Sequence, residues 1–152
     1  MLPLKKILCP TDFSDPSLAA LEAANELAVH FSSELIVLHI ITPIPVLGAE
    51  ALMPGNFDVA AYQKQMELNA HKNLEDLVRK KISEGVSVRT LVVLGNPADE
   101  IVKTADEEKA DLIVIATRGQ TGLKRLVFGS VAEKTVRLAS QPVLTIQAPE
   151  GD

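Results

Sequence analysis

The chain has 152 residues, 47% hydrophobic and 23% charged, with a formal net charge of -5. That size supports one hydrophobic core, so a single domain over residues 1–152 is expected. The acidic balance argues against wholesale binding to nucleic-acid backbones, and no apolar stretch approaches the length that spans a bilayer.

A lone cysteine, Cys9, excludes an internal disulfide, and "MLPLKKILCPTDF" carries no signal-peptide pattern. Both point to a reducing, cytoplasmic setting with no nucleic-acid or membrane partner. Aromatics make up only 3% and Trp is absent, so Leu, Ile, Val and Ala must build the core. That suits a parallel sheet covered on both faces.

In chain order, "LKKILCP" reads as a strand closed by Pro10. "TDFSDPSLAALEAANELAVHF" opens a helix, with Asp15 suited to the N-cap and Pro16 to the first helical position. Leu18, Leu21, Ala24, Ala28 and Phe31 give it one apolar face. "ELIVLHII" is a β-rich run typical of a strand buried on both sides. From Thr42 to Phe57 the chain is irregular and holds Pro43, Pro45, Gly48, Pro54 and Gly55. A loop this long is usually functional or mobile, and its apolar residues suit a lid or an oligomer contact.

A long helix follows, with Tyr62, Met66, Ala70, Leu74 and Leu77 on one face and Gly85 as its stop. Arg79, Lys80 and Lys81 near its end complement the helix dipole. "VSVRTLVVLG" is a third strand, and "NPADEIVKTADEEK" a helix with Asn96 as N-cap and Pro97 at its first position. Asp106, Glu107 and Glu108 form a solvated end to it. "ADLIVIAT" makes a fourth strand, "SVAEKTVRLAS" a helix capped by Ser130, and "QPVLTIQ" the last strand. Strands alternating with helices predict right-handed crossovers and an α/β, doubly wound, Rossmann-like sheet of five parallel strands with helices on both faces.

Ligands of such sheets sit beyond the carboxyl ends of the strands, where the strand order reverses. If the first and fourth strands are neighbours, "PTDFS" (Pro10 to Ser14) and "ATRGQTGLKRLVFGS" (Ala116 to Ser130) bracket that place. The second loop has the parts of an anion cradle. Gly119 permits close backbone approach, Gly129-Ser130 leads into a helix N-terminus, and Arg118, Lys124 and Arg125 add charge. The same glycines and serine also make ordinary turns and an ordinary helix entry. His30, His39 and His71 lack metal-ligand spacing. Neither G-x-x-x-x-G-K-[ST] nor G-x-G-x-x-G after the first strand is present.

"ILCPTDFSDPSLAALEAANELA" and "GNPADEIVKTADEEKADLIVIATRGQTGLKRLVFGSVAEKTVRLASQPVLTIQ" resemble the opening and the C-terminal half of the universal stress protein family. The signature of that family's nucleotide-binding branch is G-x2-G-x9-G-[ST]. Gly119, nine further residues and Gly129-Ser130 match it, while Ala116 replaces the first glycine. If position 116 needs only close approach, the methyl narrows the site slightly; if it needs a positive φ, binding weakens.

The resemblance implies strand order 3-2-1-4-5 and an ATP site, with Mg2+ as an optional companion. Pro10, Thr11 and Asp12 would sit beside the nucleotide, with Asp12 near adenine and ribose or acting through a metal; a turn role for Asp12 is equally open. Ile40 would form an apolar wall for adenine, although a strand isoleucine is ordinarily core. Ala116, Thr117, Arg118 and Gly119 would run beside ribose and phosphates, and Gln120, Gly129 and Ser130 would add contacts.

The implied function is an ATP-binding, nucleotide-dependent stress-response switch or signalling module, with at most slow hydrolysis. Against it stand a nucleotide-independent dimeric interaction protein of the same fold and, more distantly, a small-molecule enzyme. The last strand is short and apolar and lies at a sheet edge. It suits a homodimer through Val143–Gln147, which a charge at Val143 or Ile146 would weaken.

Overall fold

The computed structural model describes residues 2–44, 55–118 and 129–148. Its elements run β1 (Lys6–Pro10), α1 (Asp15–Phe31), β2 (Glu34–Ile41), α2 (Val59–Lys81) and β3 (Val88–Leu94). Then come α3 (Pro97–Glu108), β4 (Leu112–Ala116), α4 (Ser130–Leu138) and β5 (Val143–Ile146). The strands form one sheet in the order β3-β2-β1-β4-β5, and every neighbouring pair is parallel. This is the doubly wound α/β fold that the sequence predicts.

The continuous apolar runs follow from burial on both faces, because successive strand side chains point to opposite sides. Ile7 and Cys9 of β1, Leu35 and Val37 of β2, and Leu112, Val114 and Ala116 of β4 enter one core with α1 and Leu74 of α2. Leu8, Ile36, Leu38, Ile113 and Ile115 enter the other core, with Ile101 and Ala105 of α3 and Ala132 of α4. Helices α1 and α2 therefore cover one face, and α3 and α4 the other. On α1 the buried residues Ala20, Ala24 and Ala28 recur every four positions. Their small side chains let the helix backbone lie close to the sheet.

Element ends depart from expectation in instructive ways. The N-cap of α1 is Ser14, not Asp15: Ser14 is extended, and its hydroxyl accepts the Ser17 N–H at 3.4 Å. Asp15 and Pro16 occupy the first turn, where N–H groups have no intrahelical acceptor and proline's missing donor costs nothing. Helix α2 ends at Lys81, before Gly85. Asn25 of α1 captures the chain there, accepting from the Ser83 amide at 3.0 Å and donating to the Ser83 hydroxyl at 2.9 Å. Gly85 then serves the following turn at φ 87.

Tyr62 is not on the buried side of α2; it lies exposed against the Phe57 ring. The acidic end of α3 is solvated at Asp106 and Glu107, as expected, with Glu108 half-buried, and two of its carboxylates have partners. Arg89 of β3 bonds both Glu34 of β2 and Glu108, and Gln141 donates to Asp106 at 2.7 Å. Among the described residues, no helix is long and apolar enough to cross a membrane.

Candidate functional site

The chain leaves β1 towards β2 on one side, while β4 lies on the other, so the loops after β1 and β4 diverge at the carboxyl edge of the sheet. A crevice opens at such a switch point. The cavity found there has a volume of about 440 Å³, inside the range of roughly 300–1,000 Å³ typical of small-molecule pockets.

Pro10, Thr11 and Asp12 line it from the end of β1, Ile40 from β2, Ala116 from the end of β4 with Thr117 and Arg118 just beyond it, and Gly129 and Ser130 from the start of α4. Each predicted site residue within the described segments thus reaches one cavity. Gly119 and Gln120 lie outside the described residues, as do Lys124, Arg125 and residues 45–54 of the long loop. Sequence reasoning missed Ser17 of α1, Thr42, Ile115, Val131, Ala132, and Pro97 with Ile101 of α3. Pro97 and Ile101 stand four residues apart in the first turns of α3, and that spacing was the available signal.

The loop after β1 is tightly bonded. The Thr11 amide donates to Leu38 O at 2.8 Å, and the Thr11 carbonyl accepts from His39 Nδ1 at 2.8 Å. Thr11 Oγ1 accepts the Phe13 N–H at 3.1 Å and lies 2.9 Å from Ser17 Oγ. Since Ser17 Oγ donates to the Ser14 carbonyl, the hydrogen between the two hydroxyls belongs to Thr11. These hydroxyls are therefore bonded to each other and to backbone, not to a base. Asp12 Oδ1 accepts from the Ser14 amide at 3.0 Å and from the Ser14 hydroxyl. That is the Asx-turn role open to it in the sequence, and it coexists with a place on the cavity wall.

Across the cavity, the Thr117 amide donates to Ile146 O at 3.0 Å, and the Thr117 carbonyl accepts from the Gly129 amide at 2.6 Å. This second bond ties the start of α4 to the end of β4. It makes Gly129 the cap and Ser130 the first helical residue, one position earlier than expected, with no side-chain cap. Regular bonding in α4 begins with Glu133 N–H to Gly129 O at 3.0 Å. Ser130, Val131 and Ala132 all line the cavity, and among the described residues no acceptor meets their amides.

Gly129 has an ordinary φ of -57, so it is not there for conformational freedom. A Cβ would lie 3.1 Å from Thr117 O; the glycine supplies space. Ala116 ends β4 in register with Ile146, nine-tenths buried and outside the positive-φ set. Position 116 asks for a strand backbone, which alanine adopts without strain.

The chemistry available is recognition. Helix-end amides and the Arg118 cation suit an anion, and Ile40, Pro97 and Ile101 offer an apolar wall. Cys9 is fully buried, and burial pushes its thiol up to about 12, far from a reactive thiolate. Among the described residues, no group of three His, Cys, Asp or Glu side chains could hold a metal ion by itself.

Comparison with known proteins supplies the context. A sequence model of the universal stress protein family matches residues 3–147. The chain is 39% identical to universal stress protein MJ0531 of Methanocaldococcus jannaschii, over 96% of this chain and 84% of that one. Its fold is similar to the solved structure of protein MJ0577 from the same organism, with a TM-score of 0.82 and 29% identity, covering 97% of this chain and 99% of the other. It is also similar to a universal stress protein from Archaeoglobus fulgidus in complex with dAMP, with a TM-score of 0.64 and 25% identity over 96% and 99% of the two chains. Another universal stress protein, in complex with cAMP, gives a TM-score of 0.60 and 25% identity over 95% and 97%. This chain belongs to the universal stress protein family.

Proposed function

We propose that the protein binds ATP in this cavity and acts as a nucleotide-dependent stress-response switch rather than an efficient catalyst. The observation that carries the reading is one shared wall. Ser130, Val131 and Ala132, the residues that open α4, line the same cavity as Arg118 and the apolar Ile40 and Ile101. A phosphate chain and a flat base need those two surfaces side by side. The dAMP and cAMP complexes of relatives support an adenine nucleotide.

In this reading the α4 amides and Arg118 hold phosphates, Thr117 and Ser130 add polar contacts, and Ala116 backs the ribose. Ile40 packs on adenine, and Pro10 and Thr11 shape that end of the pocket. Gly119 and Gln120 complete the cradle after β4. Among the described residues, Asp12 is the one carboxylate on the cavity wall. Mg2+ is commonly held by one or two carboxylates together with substrate phosphates, so Asp12 fits an ATP-bound Mg2+. No lysine of a phosphate-binding motif stands in the chain, which agrees with hydrolysis that is slow at most.

The reading extends to one cytoplasmic domain over residues 1–152 that pairs with a second copy along the open edge of β5, Val143–Gln147. Leu144, with Val136 and Leu138 of the neighbouring α4, is exposed there.

The test is to denature freshly purified protein, identify any released nucleotide, and titrate ATP calorimetrically into wild type and Gly129→Arg. The arginine side chain would enter the cavity beside Thr117 O, so binding should be lost in the variant. Equal affinity in both proteins, or none in either, would favour the nucleotide-independent interaction protein.

A further inference from the structure

We propose that His39 is a positioning residue for this pocket, holding the β1–α1 loop in the turn that brings Asp12 to the cavity wall. The inference rests on reading the cavity as a nucleotide site. Ile40 lines the cavity, and its neighbour His39 points to the opposite face of the sheet, where Phe13 packs on the core. His39 therefore acts through the loop and not by touching a ligand.

The grip is double. Residues 38 and 39 of β2 take both backbone groups of Thr11: Leu38 O accepts its amide, and His39 Nδ1 donates to its carbonyl, each at 2.8 Å. A carbonyl only accepts, so Nδ1 carries a proton. Phe13 then adopts φ 64, a conformation that bulky residues rarely take. Its ring sits on the imidazole with centroids 4.7 Å apart, and its amide bonds Thr11 Oγ1. With Phe13 turned this way, the Ser14 amide meets Asp12 Oδ1 at 3.0 Å. One histidine thus anchors the residue before Asp12 by a hydrogen bond and the residue after it by ring contact. Thr11 is itself buried, so its carbonyl has little water to replace the lost donor.

Two side chains separate this role from generic packing. Asparagine places an amide nitrogen the same number of bonds from the backbone as Nδ1 and so keeps the donor. Glutamine places it one atom further, at the position of Nε2, and loses the bond while remaining polar. The experiment compares wild type, His39→Leu, His39→Asn and His39→Gln by amide hydrogen exchange without nucleotide and by ATP titration. His39→Leu and His39→Gln should speed exchange of the Phe13 and Ser14 amides, leave α1 beyond Leu18 unchanged, and weaken ATP about fivefold, as expected for one lost hydrogen bond. His39→Asn should restore most of both.

If His39→Leu fails to fold, the Asn and Gln pair carries the comparison. Unchanged loop exchange, unchanged ATP affinity with exchange altered, or equal behaviour of Asn and Gln would overturn the proposal. If wild type binds no ATP, the nucleotide reading falls and the proposed effect on affinity falls with it. Loop exchange alone then decides whether His39 holds the turn.

Discussion

Replacing Gly129 by alanine separates space from backbone freedom at the point where α4 meets β4. Alanine accepts φ -57 readily, so no strain arises from the dihedral. The new Cβ would sit 3.1 Å from Thr117 O, tighter than nine in ten such contacts, and that carbonyl also accepts the 2.6 Å bond from residue 129. Relief requires the start of α4 to move by a few tenths of an ångström away from β4. Alanine is also a poorer N-cap than glycine, by about 1 kcal/mol, offset by roughly 0.4–1 kcal/mol of lost freedom in the unfolded chain.

With contact strain added, the net loss should be about 1 kcal/mol, a fall in Tm of about 2–4 °C for a chain of this size. The effect on ATP should be comparatively large. The first amides of α4 shift as a group, and a helix end contributes about 0.3–1 kcal/mol, rising to about 2 when partly buried. Affinity should fall by roughly 3- to 10-fold. Urea melts and calorimetric titration on the same preparation read both quantities. Unchanged affinity with lower stability would show that the glycine serves the fold alone. A variant as stable as wild type with unaltered affinity would refute the steric reasoning.

Leu74→Ala should cost about 2–5 kcal/mol in urea denaturation, because Leu74 is fully buried and, with Ala70, is what α2 buries; a loss below about 1 kcal/mol would mean that the site collapses. Glu108 is held below the usual carboxylate range chiefly by its hydrogen bond from Arg89. That contribution is present above the unfolded pKa and is lost as pH falls through the lower folded one. Arg89→Gln should therefore lower stability at pH 7 by under about 1 kcal/mol, and the deficit should shrink as the pH falls below the usual carboxylate range; a pH-independent deficit would assign Arg89 to packing. Leu144→Lys should move the protein towards monomer in sedimentation. Val143 and Ile146 each pack on a core cluster, so a charge there would also disturb folding; an unchanged profile for Leu144→Lys would remove β5 as the pairing edge.

The fold was legible because its signals are local and repeated. Runs such as "ELIVLHII" leave no polar face for a half-exposed strand, and Asn96-Pro97 marks a helix start whose cap the structure reproduces at 3.4 Å. The cavity wall was legible at element ends, where Pro10 to Asp12 close β1 and Gly129-Ser130 open α4. What escaped depends on contacts between distant segments. Gly129 caps α4 because Thr117 claims its amide; the Ser14 cap of α1 is the local exception, set where Asp12 Oδ1 takes the Ser14 amide. Asn25 stops α2 from another helix. The sequence marks His39 only as a histidine without metal-ligand spacing, since nothing near it in sequence reveals a bond to Thr11. Pro97 and Ile101 carried only the pattern of a cap and a core face.

The most direct test is a titration of isotopically labelled protein with ATP, followed through backbone amide resonances. Saturable shifts at Ser130, Val131 and Ala132, with Thr117 and Arg118 moving along the same binding curve, are the predicted result. Saturating ATP that leaves those amides unmoved, or shifts confined to residues away from the cavity, would contradict the claim that the ends of β4 and α4 together hold the phosphates.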